Sequence, residues 1–168
     1  PYISFPINDE RSSGWLYPSV GNTQEGGFEI SAPYYFNLAP NYDATITPRL
    51  MTERGLMLNL EARQLGENSN NTLELAYLPD DAQYDALTQA LPLSESPPQA
   101  KRWQINYLGA ADLTDSWSAS ADFSAISDLD FYQDFGNDGL TDTSRSYLYR
   151  QGEINYWQPN WHLQAALQ

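Results

Sequence analysis

The sequence has no cysteine, a single histidine and only eight Lys and Arg among 168 residues. The missing cysteines exclude a disulfide framework and a thiolate metal site within these residues. His162 stands alone, so a multi-His metal site is excluded within these residues as well. Against so few cations stand 22 Asp and Glu, giving a net charge of −14 and a pI near 4.1. Nucleic-acid binding needs cations to neutralise phosphates, so this balance argues against it. The charge says less about a membrane surface, because a porin-like wall can be acidic on its water-facing side. There is no run of about 18 apolar residues, hence no transmembrane helix. No segment keeps a helical period over about 11 residues. The text opens at Pro1 without an initiator Met or signal peptide, and both ends read as strands (Pro1-Tyr-Ile-Ser-Phe and residues 161–168). We therefore read it as a piece of a longer protein, and the missing signal peptide says nothing about localisation.

What is abundant is aromatic: 14% of residues, with 12 Tyr and 5 Trp. Such amphipathic rings suit the girdles of a membrane barrel, or a carbohydrate-binding surface. Period-two alternation recurs along the chain. It predicts strands over residues 28–37, 41–51, 56–63, 72–77, 102–109, 116–123, 145–157 (blurred) and 160–167. In the sixth, for example, Trp117, Ala119, Ala121 and Phe123 oppose Ser116, Ser118, Ser120 and Asp122. The predicted fold is all-β: about eight antiparallel strands, most of roughly 8–12 residues, near the length that crosses a bilayer when tilted. Short breaker-rich turns alternate with two longer connections, residues 79–100 and 127–143. A soluble β-sandwich shares this alternation. Two features favour a barrel wall. The polar faces are uninterrupted, and aromatics gather near strand ends (Tyr34, Tyr35, Phe36, Tyr77, Trp103, Trp117, Trp157, Trp161).

Pro33 and Pro48 fall inside the first two predicted strands, 15 residues apart across one hairpin. Proline cannot donate to a ladder and is normally confined to edges, strand starts or bulges. Two in adjacent strands point to a weakly paired sheet edge, or else to bulges that shape a tight corner. Residues 1–25 differ in texture, with two short strands around a polar turn. We expect them to be the tail of a separate soluble β domain, with Gly26-Gly27 as a hinge into a wall of residues 26–168.

Other constellations carry less. Asp128, Asp130, Asp134 and Asp138 superficially suggest a Ca²⁺ loop. The sixth position is Gln133 rather than Gly and the twelfth Gly139 rather than Glu, so the expectation is a solvated turn. His162 reads as a lumen-facing or turn-proximal polar residue. Carboxylates are abundant enough to pair by chance, so a glycosidase has no support and no enzyme is expected. Glu61, Glu74, Arg63, Arg102 and Gln104 fall on the polar face and are candidates to line a lumen, or simply to hydrate a wall.

Several motifs together resemble one family: Phe5-Pro6-Ile7, Arg11-Ser-Ser-Gly14-Trp-Leu-Tyr-Pro18-Ser, and above all the ungapped block Pro33-Tyr-Tyr-Phe-Asn-Leu-Ala-Pro40-Asn-Tyr-Asp43-Ala-Thr-Ile-Thr-Pro48-Arg. The likeness continues through Arg54-Gly55, Glu61-Ala-Arg63, Glu74-Leu-Ala-Tyr77-Leu-Pro79-Asp80, Arg102-Trp103 and Ser127-Asp128 to Phe135, and so covers the chain. It resembles LptD, the lipopolysaccharide-assembly (organic-solvent-tolerance) family of the Gram-negative outer membrane. The resemblance implies the last strands of a periplasmic β-jelly roll, with residues 1–25 on the periplasmic side, followed by the first strands of a large barrel. It also implies lipopolysaccharide as cargo, an LptE-like plug lipoprotein in the barrel, and an LptA-like bridge protein reached through a preceding domain. Its two gate prolines fall on Pro33 and Pro48, where the lipid would leave sideways. No cofactor or metal is implied, and the family's disulfide cysteines are absent from this sequence. A general porin and a soluble carbohydrate-binding sandwich are the competing readings.

Overall fold

The computed structural model describes residues 11–84, 100–136, 148 and 150–168. The expected strand at residues 1–6 and the candidate ligand Asp138 lie outside them. In chain order the elements are β1 (Gly14–Trp15), β2 (Ser19–Thr23), β3 (Gly27–Ser31), β4 (Tyr34–Ala39), β5 (Tyr42–Met51), β6 (Gly55–Leu65), β7 (Ser69–Leu78), β8 (Arg102–Thr114), β9 (Trp117–Ile126), α1 (Phe131–Phe135), β10 (Arg150–Gln158) and β11 (Trp161–Leu167). All strands join one antiparallel sheet with the order β1-β4-β5-β6-β7-β8-β9-β10-β11, while β3 lies between β2 and β5. Every strand predicted from residue 28 onward has a counterpart among the described residues, and the fold is all-β as expected. The first predicted strand is divided in two at Ala32-Pro33, where neither residue is in a strand. Alternation did not indicate α1, because its five residues are too short for a helical period.

Strands β5 to β10 run 9 to 13 residues, enough to cross a bilayer's hydrocarbon core at a tilt. The two faces of the sheet are inverted relative to a soluble protein. Phe28, Ile30, Ile46, Leu50, Leu56, Leu58, Phe123 and Leu163 are exposed. The buried side chains are largely polar: Glu29, Ser31, Asp43, Thr47, Arg49, Gln104 and Ser124. Register keeps each set on one face. Asp43 stands opposite Arg63, Thr45 opposite Glu61 and Thr47 opposite Asn59, while Ile46 meets Leu60 and Pro48 meets Leu58. A sandwich would bury the apolar set. Here it faces outward, which is the pattern of a membrane wall with a hydrated inner side. The apolar core is small: Met51, Met57, Ala76 and Leu78 under Phe131 and Phe135 of α1.

The connections sort by end of the sheet. Turns at residues 40–41, 66–68, 115–116 and 159–160 lie at one end. At the other lie the turns at 24–26 and 52–54, the C-terminal ends of β7 and β9, and α1. Gly27 (φ 71°) and Gly55 (φ 115°) resume the strands after the two turns at this second end, in the left-handed region where a side chain is strained. Gly26-Gly27, expected as a hinge, closes a β2–β3 hairpin. The described part of the expected separate tail is hydrogen-bonded to the wall through β1·β4 and β2·β3.

Candidate functional site: a proline-crossed edge beside a polar groove

The edge at β3 and β4 is where ladder bonds are missing. Ser31 pairs with Arg49 and Tyr34 with Ile46, so the register against β5 is unbroken and puts Ala32 opposite Pro48. The Ala32 N–H donates to the Pro48 carbonyl at 3.2 Å. In an antiparallel ladder such a pair exchanges two bonds, and the proline forbids the return one. One residue on, the peptide groups face the other neighbour. The Leu16 N–H donates to the Pro33 carbonyl at 2.9 Å, and again proline forbids the return bond. The two prolines therefore weaken different ladders at a single level of the sheet. Pro33 thins the β1 side of this strand and Pro48 its β5 side.

Sequence reasoning missed a third member of this level. Leu16 faces Pro33 while Ser19 faces Ser31, so Tyr17 and Pro18 together oppose Ala32. That is a two-against-one bulge separating β1 from β2. The signal was present, since Pro18, Pro33 and Pro48 follow one another at intervals of 15 residues.

Next to this level a groove of about 350 Å³ opens on the polar face, lined by Pro33, Tyr35, Thr45, Thr47, Asn59, Glu61, Arg63, Glu74, Ala76 and Gln104 among others. It brings together five of the seven residues singled out from the sequence: Pro33, Glu61, Arg63, Glu74 and Gln104. Pro48 lies on the apolar face, and Arg102 lies in a separate cluster. Arg63 forks onto Asp43, with Nε at 2.8 Å and Nη2 at 3.1 Å, and Asp43 also accepts from the Tyr35 hydroxyl at 3.3 Å. Glu61 and Glu74 face each other across β6 and β7. Like charges so placed repel. They are tempered by Arg63, 3.5 Å from Glu61, and by Asn106, which donates to Glu74 at 3.2 Å. The Gln104 amide is buried with neither of its polar atoms bonded to protein. Buried polar groups on a wet face are ordinarily completed by water or a polar ligand. The groove is thus a charge-bearing concavity on the polar face.

Arg102 is fully buried at the end of the sheet that carries α1. Its guanidinium binds Asp128 through two bonds (2.6 and 3.0 Å), Asp81 at 3.0 Å, and Asp134. Arg54, also buried, reaches Asp81 at 2.7 Å and Asp134 at 3.2 Å. Phe135 lies under both cations, 4.7 Å from Arg102 and 5.0 Å from Arg54. Asp128 and Asp134, expected in a solvated turn, are instead tied to arginine. Asp128 precedes α1 and Asp134 lies within it, and both become neighbours of Arg102 only in the fold. For Asp128, burial raises the carboxyl pKa, but hydrogen bonds from Arg102 and Ser127 outweigh it and hold the group below its usual range. Tyr84 is pushed up, first by burial and then by the charge of Asp128. His162 stacks on Trp157 at 3.7 Å beside the last turn. Among the described residues no group of three or more His, Cys, Asp or Glu is placed to hold a metal.

Comparison with known proteins decides the family. A family model described as LptD, LPS transport system D, matches residues 100–168. An LPS-assembly protein LptD of Saccharophagus degradans is 35% identical over 179 aligned positions, which cover 100% of this chain and 21% of the relative. Those of Pseudoalteromonas atlantica (38% identical, 94% of this chain, 19% of the relative) and Nitrosomonas europaea (40%, 90% and 19%) agree. The chain belongs to the LptD family. It spans about a fifth of the length of these LptD proteins. The inverted faces, the polar groove and the thinned edge are therefore features of one part of an LptD chain.

Proposed function

We propose that this chain forms the first strands of an outer-membrane barrel that delivers lipopolysaccharide sideways into the outer leaflet, with the exit beside Pro33 and Pro48. The observation that carries this reading is the pair of half-bonded positions, Leu16/Pro33 and Ala32/Pro48, beside the polar groove. A closed barrel has no free edge, and lipid supplies no substitute for a broken ladder bond. Each bond that proline removes contributes about 1 kcal/mol net in ordinary context and more in lipid. A tenfold shift in an open–closed equilibrium needs only about 1.4 kcal/mol. A cargo with acyl chains and a charged glycan needs such a seam, since the chains belong in the bilayer while the sugars cross a hydrated lumen. Glu61, Arg63, Glu74 and Gln104 would line that lumen, and transport rather than catalysis is the role.

Residues 1–25 would end a periplasmic β-jelly roll and residues 26–168 begin the barrel. An LptE-like lipoprotein would plug the lumen. An LptA-like bridge would hand over lipopolysaccharide through the preceding domain. A general porin shares the inverted faces but gives no reason for neighbouring ladders to be thinned at one level. The experiment is the double substitution Pro33→Ala/Pro48→Ala in the full-length protein. With the barrel assembled, surface lipopolysaccharide should fall; undiminished delivery would mean that the prolines only shape the wall.

A further inference from the structure

We propose that residues 11–16 are a removable strap on the outer edge of β4, competing for that edge with the strand that closes the barrel. This inference rests on the lateral-exit reading above.

The two halves of the segment that covers this edge are held very differently. The β2–β3 hairpin keeps five register pairs. It is also fastened to the wall: Arg49 grips Glu29 at 2.7 Å, the Glu53 N–H donates to the Gly26 carbonyl at 3.1 Å, and Arg54 donates to the Glu25 carbonyl at 2.8 Å. Residues 11–16 have two register pairs, Gly14 with Tyr35 and Trp15 with Tyr34, and the single bond from Leu16 to Pro33. What else holds them is peripheral: Ser13 and Arg11 bonded to Asn37, an edge-to-face contact of Trp15 with Tyr34, and exposed Arg11 at 3.6 Å from Asp43. The Tyr17-Pro18 bulge separates the two halves, so the strap can leave while the hairpin stays.

The edge beneath the strap has a second claimant. The sheet order ends at β11, and the chain spans about a fifth of its relatives, so a barrel built from the remainder must return to β4 to close. That closing strand and the strap need the same outward peptide groups, those of Pro33, Tyr35 and Asn37. In lipid an uncovered edge leaves backbone groups without any partner, which is strongly disfavoured. A seam that opens onto an already available strap avoids most of that cost. Strap on is then the open state, and strap off the closed one.

Trp15 and Tyr34 form a non-hydrogen-bonded pair, because the next pair, Leu16/Pro33, carries the bond. Such pairs put Cα atoms about 4.5 Å apart, within disulfide range. The test uses the full-length protein in cells, with Trp15→Cys/Tyr34→Cys in the strap and Val20→Cys/Ile30→Cys in the hairpin as the reference pair. The strap disulfide should form more slowly by about fivefold, the equivalent of one missing ladder bond at ~1 kcal/mol. Deleting Tyr17 makes residues 11–23 one regular strand and should bring the two rates together. Once oxidised, the strap pair should make the outer membrane permeable to large antibiotics, and reductant should reverse this. Equal rates before the deletion, or a complete strap disulfide without added permeability, would overturn the proposal. Lipopolysaccharide delivery in the Pro33→Ala/Pro48→Ala strain is read separately: normal delivery there defeats the exit reading and leaves the crosslinking result standing.

Discussion

Replacing Arg102 with Leu should loosen the end of the sheet that carries α1 by about 3 kcal/mol, the lower end of the 3–5 kcal/mol typical when one partner of a buried ion pair is removed. The structure argues for the lower end. Asp81 has no exposed surface, but it keeps Arg54 at 2.7 Å, and Asp134 keeps Arg54 at 3.2 Å. Asp128 loses its forked partner, yet its side chain is one-fifth exposed and still accepts from the Ser127 hydroxyl at 2.6 Å. The stacking of the guanidinium on Tyr84 at 4.6 Å and on Phe135 at 4.7 Å is lost as well. Removing both Arg54 and Arg102 should cost more than the two single effects together, because Asp81 is then a buried carboxylate with no cation. Asp81→Asn in that double background should restore part of the loss. The assay is urea unfolding of the full-length protein, followed by the change in electrophoretic mobility between folded and heat-denatured barrel. If Arg102→Leu unfolds at the wild-type urea concentration, or if the two arginines act additively, the cluster is not what holds this end together.

Two further outcomes follow from the same geometry. Leu58 is exposed on the apolar face and its neighbour Asn59 faces the groove. Leu58→Arg should therefore destabilise by ~2–4 kcal/mol if it lies near mid-bilayer, whereas Asn59→Arg should be nearly neutral; equal effects would refute the assignment of faces. Asp128 has a folded pKa below 3.8, so its contribution is fully present above the unfolded value. It should be lost as the pH falls from about 4 through the folded value. Asp128→Asn should flatten that acid limb of the urea midpoint.

Much of the fold was legible because a strand's side chains alternate with period two, a property each strand carries by itself. Asn41 to Met51 and Leu56 to Arg63 declared their faces before any partner was known. The site was legible in proportion to how local its signal was. Pro33 and Pro48 announce missing donors wherever they lie, and Glu61, Arg63, Glu74 and Gln104 share a groove because parity put them on one face. What the sequence could not show depended on distant residues. Asp128 and Asp134 looked solvated because Arg102 and Arg54 are far away in sequence. Arg102 shared the parity of Gln104, yet its place at a strand end delivered it to those carboxylates instead of to the groove. By itself the sequence determined an acidic, all-β chain with one polar and one apolar face per strand, and two prolines that could not donate. Only the tertiary structure decided which neighbour each missing donor faced, since that depends on register. It alone showed Pro18 at the same level, and it alone turned the apolar face outward, because which side of a sheet becomes concave is settled between strands.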